Sequence, residues 1–156
     1  MTGSTAGAAA RLDDRRILVA EDEYAIADAI TAVLAEAGAE VLGPVPTVAR
    51  ALRLAMAPGR LDAALLDVNL RRQAIWPVVD ALQARGVPVV LATGYGSNAI
   101  PQAYASLPRC EKPVTGRELV RSLARELDLQ PLSYELRLIS SVEPAWATNE
   151  SWYAGV

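Results

Sequence analysis

The sequence has 156 residues, of which 52% are hydrophobic, and a formal net charge of −3 at pH 7. This length supports one compact domain with short appendages, and the hydrophobic content is sufficient for a core, so two folded domains are not expected. The acidic balance argues against a nucleic-acid surface, and we expect the isolated arginine pairs at 15–16 and 71–72 to be solvated. One cysteine and no histidine exclude an internal disulfide and a zinc site.

The ends of the chain carry no targeting or membrane signal. Residues 1–10 lack a basic start and a continuous apolar run, and no later stretch reaches about 18 apolar residues. We therefore expect a cytoplasmic protein without membrane contact. Residues 1–14 are small and polar and are interpreted as a flexible tail, so that the folded domain spans 15–129.

Short apolar runs alternate with amphipathic segments throughout this domain. The predicted strands, in chain order, are 16–20, 40–42, 63–67, 87–92 and 109–111. The predicted helices are 26–37, 48–56, 76–85, 98–106 and 115–127. This alternation predicts a doubly wound α/β domain, with a five-stranded parallel sheet flanked by five helices.

Single residues mark where these helices begin and end. Gly38 suits a left-handed cap after the first helix, and Thr47 is expected to cap the second. Pro77 falls in the first turn of the third helix, and Thr115 with Glu118 forms a capping box before the last. The fourth helix is the least marked, because it is short and contains a proline.

Five ionisable or hydroxyl side chains stand at the carboxyl ends of the predicted strands. Glu21 and Asp22 follow the first strand, Asp67 ends the third, and Thr93 and Lys112 come at the ends of the last two. Crossovers of at least a dozen residues keep such strands parallel, so these ends meet at one edge of the sheet. Ligands bind at that edge in open α/β sheets, and the sequence therefore predicts a site there.

The residue types at this edge indicate phosphoryl chemistry with a metal ion. Converging carboxylates at Glu21, Asp22 and Asp67 repel one another and favour a hard divalent cation such as Mg²⁺. Lys112 can act as a point charge toward phosphoryl oxygens, and the Thr93 hydroxyl can donate a hydrogen bond to them. Asp67 is the candidate nucleophile, because an aspartate can form a covalent aspartyl phosphate.

Four motifs in this order resemble those of response-regulator receiver domains. They are ILVAEDE at 17–23, LLDVNL at 65–70, LATGYG at 91–96 and CEKPV at 110–114. The resemblance covers about residues 15–129 and implies a flavodoxin-like sheet with strand order 2-1-3-4-5. It also implies that a histidine kinase or a phosphotransfer protein phosphorylates Asp67.

The resemblance also assigns roles to the other site residues. It implies that Glu21, Asp22 and Asp67 hold Mg²⁺ together with the backbone carbonyl of Asn69. Thr93 and Lys112 would bind the phosphoryl group, and the bond between Lys112 and the proline at 113 would be cis.

Two departures from the family pattern bear on the output. The LATGYG loop is similar to the Phe-Ala-Thr-Gly-Tyr-Gly loop of a subgroup of stand-alone alphaproteobacterial receivers linked to general stress signalling, but Leu91 replaces the Phe. Arg109 stands where many receivers carry an aromatic residue that moves inward when the threonine engages phosphate. An arginine is costly to bury, so Tyr95 or Tyr104 is a candidate for that relay.

Several functions remain open within this fold. The first is a single-domain switch whose output is an unidentified protein partner, and the second is a phosphate sink or phosphorelay intermediate. An aspartate-dependent phosphohydrolase is third, because such enzymes need a second acid where this chain has Asn69. We therefore expect no enzymatic activity. The 27 residues after Leu129 are too few for a DNA-binding or catalytic output, which predicts a stand-alone regulator.

The C-terminal extension, residues 130–156, lies outside the resemblance. Apolar residues alternate with polar ones from Tyr134 to Leu138, and two tryptophans follow. A flexible tail, an edge strand added to its own or a neighbouring receiver in a homodimer, and a docking motif for another protein are all compatible with this pattern.

Overall fold

The computed structural model describes residues 10–94, 100–112 and 114–128. The strands are β1 (Arg16–Ala20), β2 (Glu40–Val45), β3 (Ala63–Asp67), β4 (Asn69–Leu70), β5 (Gln73–Ala74), β6 (Val89–Thr93) and β7 (Arg109–Glu111). The helices are α1 (Tyr24–Glu36), α2 (Val48–Met56), α3 (Trp76–Ala84), a 3-10 helix (Gln102–Tyr104) and α4 over 116–128.

Residues up to Glu126 form one compact unit, to which the sheet and the site below belong. After Glu126 the structure describes only residues 127 and 128. The alternatives for residues 130–156 therefore concern a segment outside the described residues, and so does the predicted tail over residues 1–9.

The sheet has five parallel strands in the order β2-β1-β3-β6-β7, and β4 pairs with β5 in a separate antiparallel hairpin. Without the hairpin strands this is the order 2-1-3-4-5, so the predicted flavodoxin-like α/β fold is confirmed. β3 is the central strand, and its residues Ala63, Ala64, Leu65 and Leu66 are at most 1% exposed. A parallel strand with helices on both faces is uniformly apolar, so the carboxylate of Asp67 at the end of this strand is an exception to its composition.

The predicted caps lie at the helix ends. Thr47 Oγ1 accepts a hydrogen bond from the backbone N–H of Arg50 at 3.2 Å, where α2 begins. The capping box precedes α4: the N–H of Glu118 donates to Thr115 Oγ1 at 3.1 Å, and the N–H of Thr115 donates to Glu118 Oε1 at 3.4 Å. Pro77 lies in the first turn of α3, where a missing N–H costs no helical hydrogen bond.

Two elements differ in length from the prediction. β2 continues to Val45 beyond the expected end at Leu42, because Val45 pairs with Ala20 of β1 past an irregularity in the register. The predicted fourth helix, 98–106, is represented in the described residues by the 3-10 turn alone, and 98 and 99 lie outside them. Pro101 precedes this turn in an extended conformation and has no N–H to donate, so a helix does not run through it.

The folded unit begins before residue 15, the predicted boundary. Leu12 is 1% exposed, and its N–H donates to the carbonyl of Ala37 at 2.8 Å. The N–H of Asp14 donates to the carbonyl of Gly38 at 3.1 Å. Residues 12–14 thus pack along the C-terminal end of α1, and the apolar Leu12 is the reason that this part of the predicted tail is ordered.

Gly38 ends α1 as the sequence predicts. Its N–H donates to the carbonyl of Ala35 at 3.0 Å, and the N–H of Ala39 donates to that of Leu34 at 3.0 Å, the paired bonds of a Schellman cap. The motif needs a left-handed residue after the helix, and Gly38 has a φ of 98°.

In the described part of the chain, no helix is both long enough and apolar enough to cross a membrane.

We expect Gly38→Ala to lower the free energy of unfolding by more than Gly86→Ala does. Both glycines have a positive φ, 98° and 74°, at which an alanine costs about 1–2 kcal/mol. A Cβ at Gly38 would in addition lie 3.0 Å from the Cα of Asp13, whereas no atom of the described residues lies within 4 Å of one at Gly86. Urea denaturation of both variants measures the difference, and equal losses would show that the segment around Asp13 does not press on the α1 cap.

Candidate functional site

Three carboxylates meet at the carboxyl edge of the sheet. Glu21 follows β1, Asp22 is the next residue, and Asp67 ends β3, which pairs directly with β1. One oxygen from each carboxylate lies within 4.8 Å of the others. Glu21 is buried, whereas Asp22 and Asp67 are partly accessible. The parallel register of the two strands thus brings together three negative charges that would repel one another without a cation.

Lys112, the only lysine in the sequence, supplies positive charge to this cluster. Its Nζ donates to Glu21 Oε1 and to Asp67 Oδ2, both at 2.8 Å. Burial by itself lowers the pKa of Lys112, but its hydrogen bonds to Asp67 and Glu21 outweigh that effect, so the pKa lies above its ordinary value of 10.5. The ammonium group therefore stays charged throughout the neutral range.

Of the three carboxylates, that of Glu21 loses the most solvation free energy, because it is the most deeply buried. Burial raises the pKa of Glu21 above its ordinary value of 4.5, although the hydrogen bond from Lys112 lowers it. A carboxylate that is largely withdrawn from water is unfavourable in its charged form. The ionised site consequently depends on Lys112 for compensation.

Backbone N–H groups bind one oxygen of each carboxylate in the cluster. Each carboxylate accepts one such hydrogen bond, which fixes its orientation. The donor and acceptor pairs are Glu23 N to Glu21 Oε2 at 3.0 Å, Arg71 N to Asp22 Oδ2 at 2.8 Å, and Asn69 N to Asp67 Oδ1 at 3.3 Å.

Thr93 ends β6 beside the cluster and carries a buried hydroxyl without a partner. It follows Ala92, which is the register partner of Asp67, and its carbonyl accepts the N–H of Lys112 at 2.6 Å. The residue is 2% exposed, and among the described residues its Oγ1 has no hydrogen-bond partner. An unsatisfied buried hydroxyl is costly in a folded protein, which points to a ligand that completes it.

The donor set suits a magnesium ion. Three carboxylates that offer one oxygen each within a few ångströms, with two of them partly open to solvent, match the preference of Mg²⁺ for oxygen ligands and retained waters. The residues predicted to hold the ion are therefore together in space. The N–H of Asn69 reaches Asp67 Oδ1, and the predicted use of its carbonyl as a fourth ligand stays a prediction.

The structure adds Arg71 to the residues that sequence reasoning found. The predicted strands and helices leave residues 68–75 without an element, yet this segment forms the hairpin β4–β5, whose turn is bonded to Asp22. The turn contains no glycine or asparagine, so the usual sequence signal for a two-residue hairpin turn is missing. The hairpin is therefore recognised only from the pairing of its two short strands in the structure.

The structure also shows what surrounds Arg109. This residue is exposed, and its Nη2 donates to the carbonyl of Ala105 at 2.8 Å.

Tyr104 instead packs inward: its ring stacks on that of Trp76 with centroids 4.5 Å apart, and its hydroxyl donates to Asp80 Oδ1 at 2.8 Å. The pKa of Tyr104 is raised by this hydrogen bond. The other candidate for the relay, at position 95, and the proline at 113 lie outside the described residues.

The chain is 38% identical to SdrG from Sphingomonas melonis Fr1, over 71% of this chain and 94% of SdrG, with a TM-score of 0.64. It is 27% identical to a CheY-like response regulator receiver domain protein from Methanospirillum hungatei JF-1, over 78% and 99% of the two chains, with a TM-score of 0.69. This chain belongs to the response-regulator receiver family. No protein-family model and no curated protein matches the sequence.

Another similar structure contains a magnesium ion. The receiver domain of the sensor histidine kinase PA1611 from Pseudomonas aeruginosa PAO1 has a magnesium ion coordinated in its active-site cleft. It is 26% identical to this receiver, over 74% of this chain and 98% of that one, with a TM-score of 0.65.

We expect Lys112→Met to destabilise the receiver at neutral pH and much less in mild acid. Removal of the ammonium leaves two facing carboxylates without compensation, at a cost of about 1–3 kcal/mol without metal. The pKa of Glu21 then rises further, the folded state binds the proton more tightly than the unfolded state, and stability returns as the pH falls toward 4.5.

Urea denaturation at several pH values in metal-free buffer measures this loss. Arg117→Met, which removes an exposed positive charge from α4, is the control and should show no such pH dependence. A Lys112→Met deficit that is constant from neutral to acidic pH would contradict the charge argument.

Proposed function

We propose that this receiver is a stand-alone response regulator of a two-component system, phosphorylated on Asp67 by a histidine kinase or a phosphotransfer protein. The observation that carries the proposal is the position of Asp67. Its carboxylate ends the central buried strand, is bound by the ammonium of Lys112 at 2.8 Å, and lies beside the hydroxyl of Thr93, which has no partner among the described residues.

The proposed reaction is a phosphoryl transfer. An oxygen of the Asp67 carboxylate forms a bond to phosphorus, the bond from phosphorus to the imidazole nitrogen of the donor breaks, and that nitrogen keeps the electron pair. Charge spreads over the equatorial phosphoryl oxygens, so catalysis consists of positioning and electrostatic stabilisation. Lys112 is suited to the second task, because its raised pKa keeps it charged when the phosphoryl group arrives.

The acidic side of the site supports the use of Mg²⁺. Glu21, Asp22 and Asp67, with the carbonyl of Asn69, would hold the ion, which when bound supplies positive charge to the phosphoryl oxygens. The chain itself fixes the geometry, since backbone N–H groups orient all three carboxylates. Addition of EDTA should therefore stop phosphorylation.

Thr93 is proposed to bind the phosphoryl group once it is on Asp67. Its hydroxyl is already buried and has no acceptor among the described residues, so a phosphoryl oxygen would supply one without further loss of solvation. The free energy gained from this hydrogen bond can shift the conformation of the β6–β7 connection. Tyr104 belongs to that connection, and its ring stacks on that of Trp76 in α3. We propose that the signal leaves through this connection, since Arg109 is exposed and bonded elsewhere.

The role of the phosphorylated form depends on its lifetime. A switch must keep the phosphate long enough to bind a partner, whereas a sink or a relay intermediate loses it quickly. We propose that the protein is a switch that acts through protein contacts in the cytoplasm and has no enzymatic output. Membership in the stress-signalling subgroup stays a prediction from the LATGYG loop, of which residues 95 and 96 lie outside the described part.

We expect acetyl phosphate with Mg²⁺ to add one acid-labile phosphate to the wild type and none to Asp67→Asn. The substitution keeps the shape of the side chain and removes the nucleophilic carboxylate. Intact-mass spectrometry at neutral pH measures the addition, and decay of the signal gives the lifetime. Asp28→Asn, at an exposed position on α1, is the matched control and should be phosphorylated normally. Undiminished phosphate on Asp67→Asn would refute the assignment.

We expect Thr93→Val to stabilise the unphosphorylated receiver and to weaken its response to phosphate. A methyl group in place of the unpaired hydroxyl should raise the free energy of unfolding by about 1 kcal/mol. Beryllofluoride with Mg²⁺, which imitates the phosphoryl group on aspartate, should then raise the melting temperature of this variant less than that of the wild type. Thr93→Ser keeps the hydroxyl and should respond like the wild type, so an equal response of all three proteins would exclude a role for Thr93.

A further inference from the structure

The turn of the β4–β5 hairpin places two arginines in an unfavourable backbone conformation. Leu70 pairs with Gln73 across the hairpin, and the two residues between them are Arg71, with a φ of 48°, and Arg72, with a φ of 69°. Positive φ at both central residues is the type I′ geometry, which favours Asn-Gly because a larger side chain is strained there. Backbone strain that the chain retains beside a functional site suggests a role for the residues that bear it.

The hairpin is fixed at the edge of the site. The N–H of Arg71 donates to Asp22 Oδ2 at 2.8 Å, and the neighbouring Leu70 is fully buried. The side chains of Arg71 and Arg72 are exposed. Two exposed guanidinium groups therefore belong to a turn whose backbone directly contacts the acidic cluster.

The charge of the site makes these guanidinium groups useful. Three carboxylates and the ammonium of Lys112 leave a formal charge of −2 before a metal binds. A phosphoryl group bears about −1.5 to −2 and is repelled by such a site. Lys112 is already engaged by Glu21 and Asp67, whereas neither turn arginine forms an ion pair with any residue that the structure describes.

We propose that Arg71 and Arg72 bind the oxygens of the incoming phosphoryl group and so select and recruit phosphoryl donors. The guanidinium fork matches the geometry of phosphoryl oxygens, and its charge offsets that of the carboxylates. This inference rests on the proposed phosphorylation of Asp67 and extends it to the recognition of the donor. It replaces the expectation that the arginine pair is merely solvated.

A double substitution in the hairpin turn removes the charge of the two arginines and keeps the backbone structure of the turn. Arg71→Asn with Arg72→Gly removes both guanidinium groups and installs the favoured type I′ residues, so the hairpin and the N–H to Asp22 are kept. The free energy of unfolding of this double variant should be no lower than that of the wild type. Arg50→Gln with Arg53→Gln, at exposed positions on α2, removes the same charge away from the site.

The experiment measures the second-order rate constant for phosphorylation of Asp67 by acetyl phosphate and by phosphorylated imidazole, which imitates phosphohistidine, in Mg²⁺ at low salt. We expect the turn variant to react about ten-fold more slowly with both donors, and the difference to shrink as salt is added. The α2 variant should react at the wild-type rate. Arg71→Lys with Arg72→Lys should recover part of the rate, because it keeps charge without the planar fork.

Two outcomes would overturn the inference while the proposed function stands. One is a turn variant that is phosphorylated as fast as the wild type, and the other is an equal loss in the α2 variant, which would make the effect one of net charge. A wild-type protein that takes no phosphate from either donor would refute the phosphorylation of Asp67 itself, and the inference with it.

Discussion

The contact of the Lys112 ammonium with the carboxylates of Glu21 and Asp67 is the interaction on which the site depends. It joins residues that are 91 and 45 positions apart, and it requires three different strands to end at one edge of the sheet. Without this cation, parallel pairing of β1 with β3 would place like charges in contact, one of them buried. The same charge that permits the native pairing is the one proposed to bind the phosphoryl group, so stability and the proposed function depend on one residue.

The site concentrates features that cost stability. Burial raises the pKa of Glu21, the hydroxyl of Thr93 lacks a partner among the described residues, and Arg71 and Arg72 adopt positive φ angles. These costs lie at one edge of a sheet whose remaining strand residues are largely apolar and buried. Proteins accept such local conflicts where a ligand relieves them, and a phosphoryl group with a divalent cation would relieve most of these. The rest of the domain supplies the rigid frame that keeps them in place.

Sequence reasoning succeeded where one local physical rule decides the outcome. Uniformly apolar runs identified β1 and β3, a glycine identified the end of α1, and Thr115 with Glu118 identified the start of α4. It was less accurate where long-range contacts override local signals. Val45 extends β2 past a glycine and a proline because Ala20 pairs with it, and Leu12 orders part of the predicted tail because α1 offers it a buried position.

The sequence by itself determined which residues are candidates for the chemistry, because a carboxylate, a hydroxyl or a lysine at the end of an apolar strand has few structural reasons to be there. It also determined that they meet, since parallel strands end at one edge. The tertiary structure alone decided how they are partnered: Lys112 bridges two of three carboxylates, Thr93 Oγ1 has no partner in the part of the chain that the structure describes, and the turn at Arg71 reaches Asp22. Partner choice depends on distances of a few tenths of an ångström between segments far apart in the chain, and no local pattern encodes those distances.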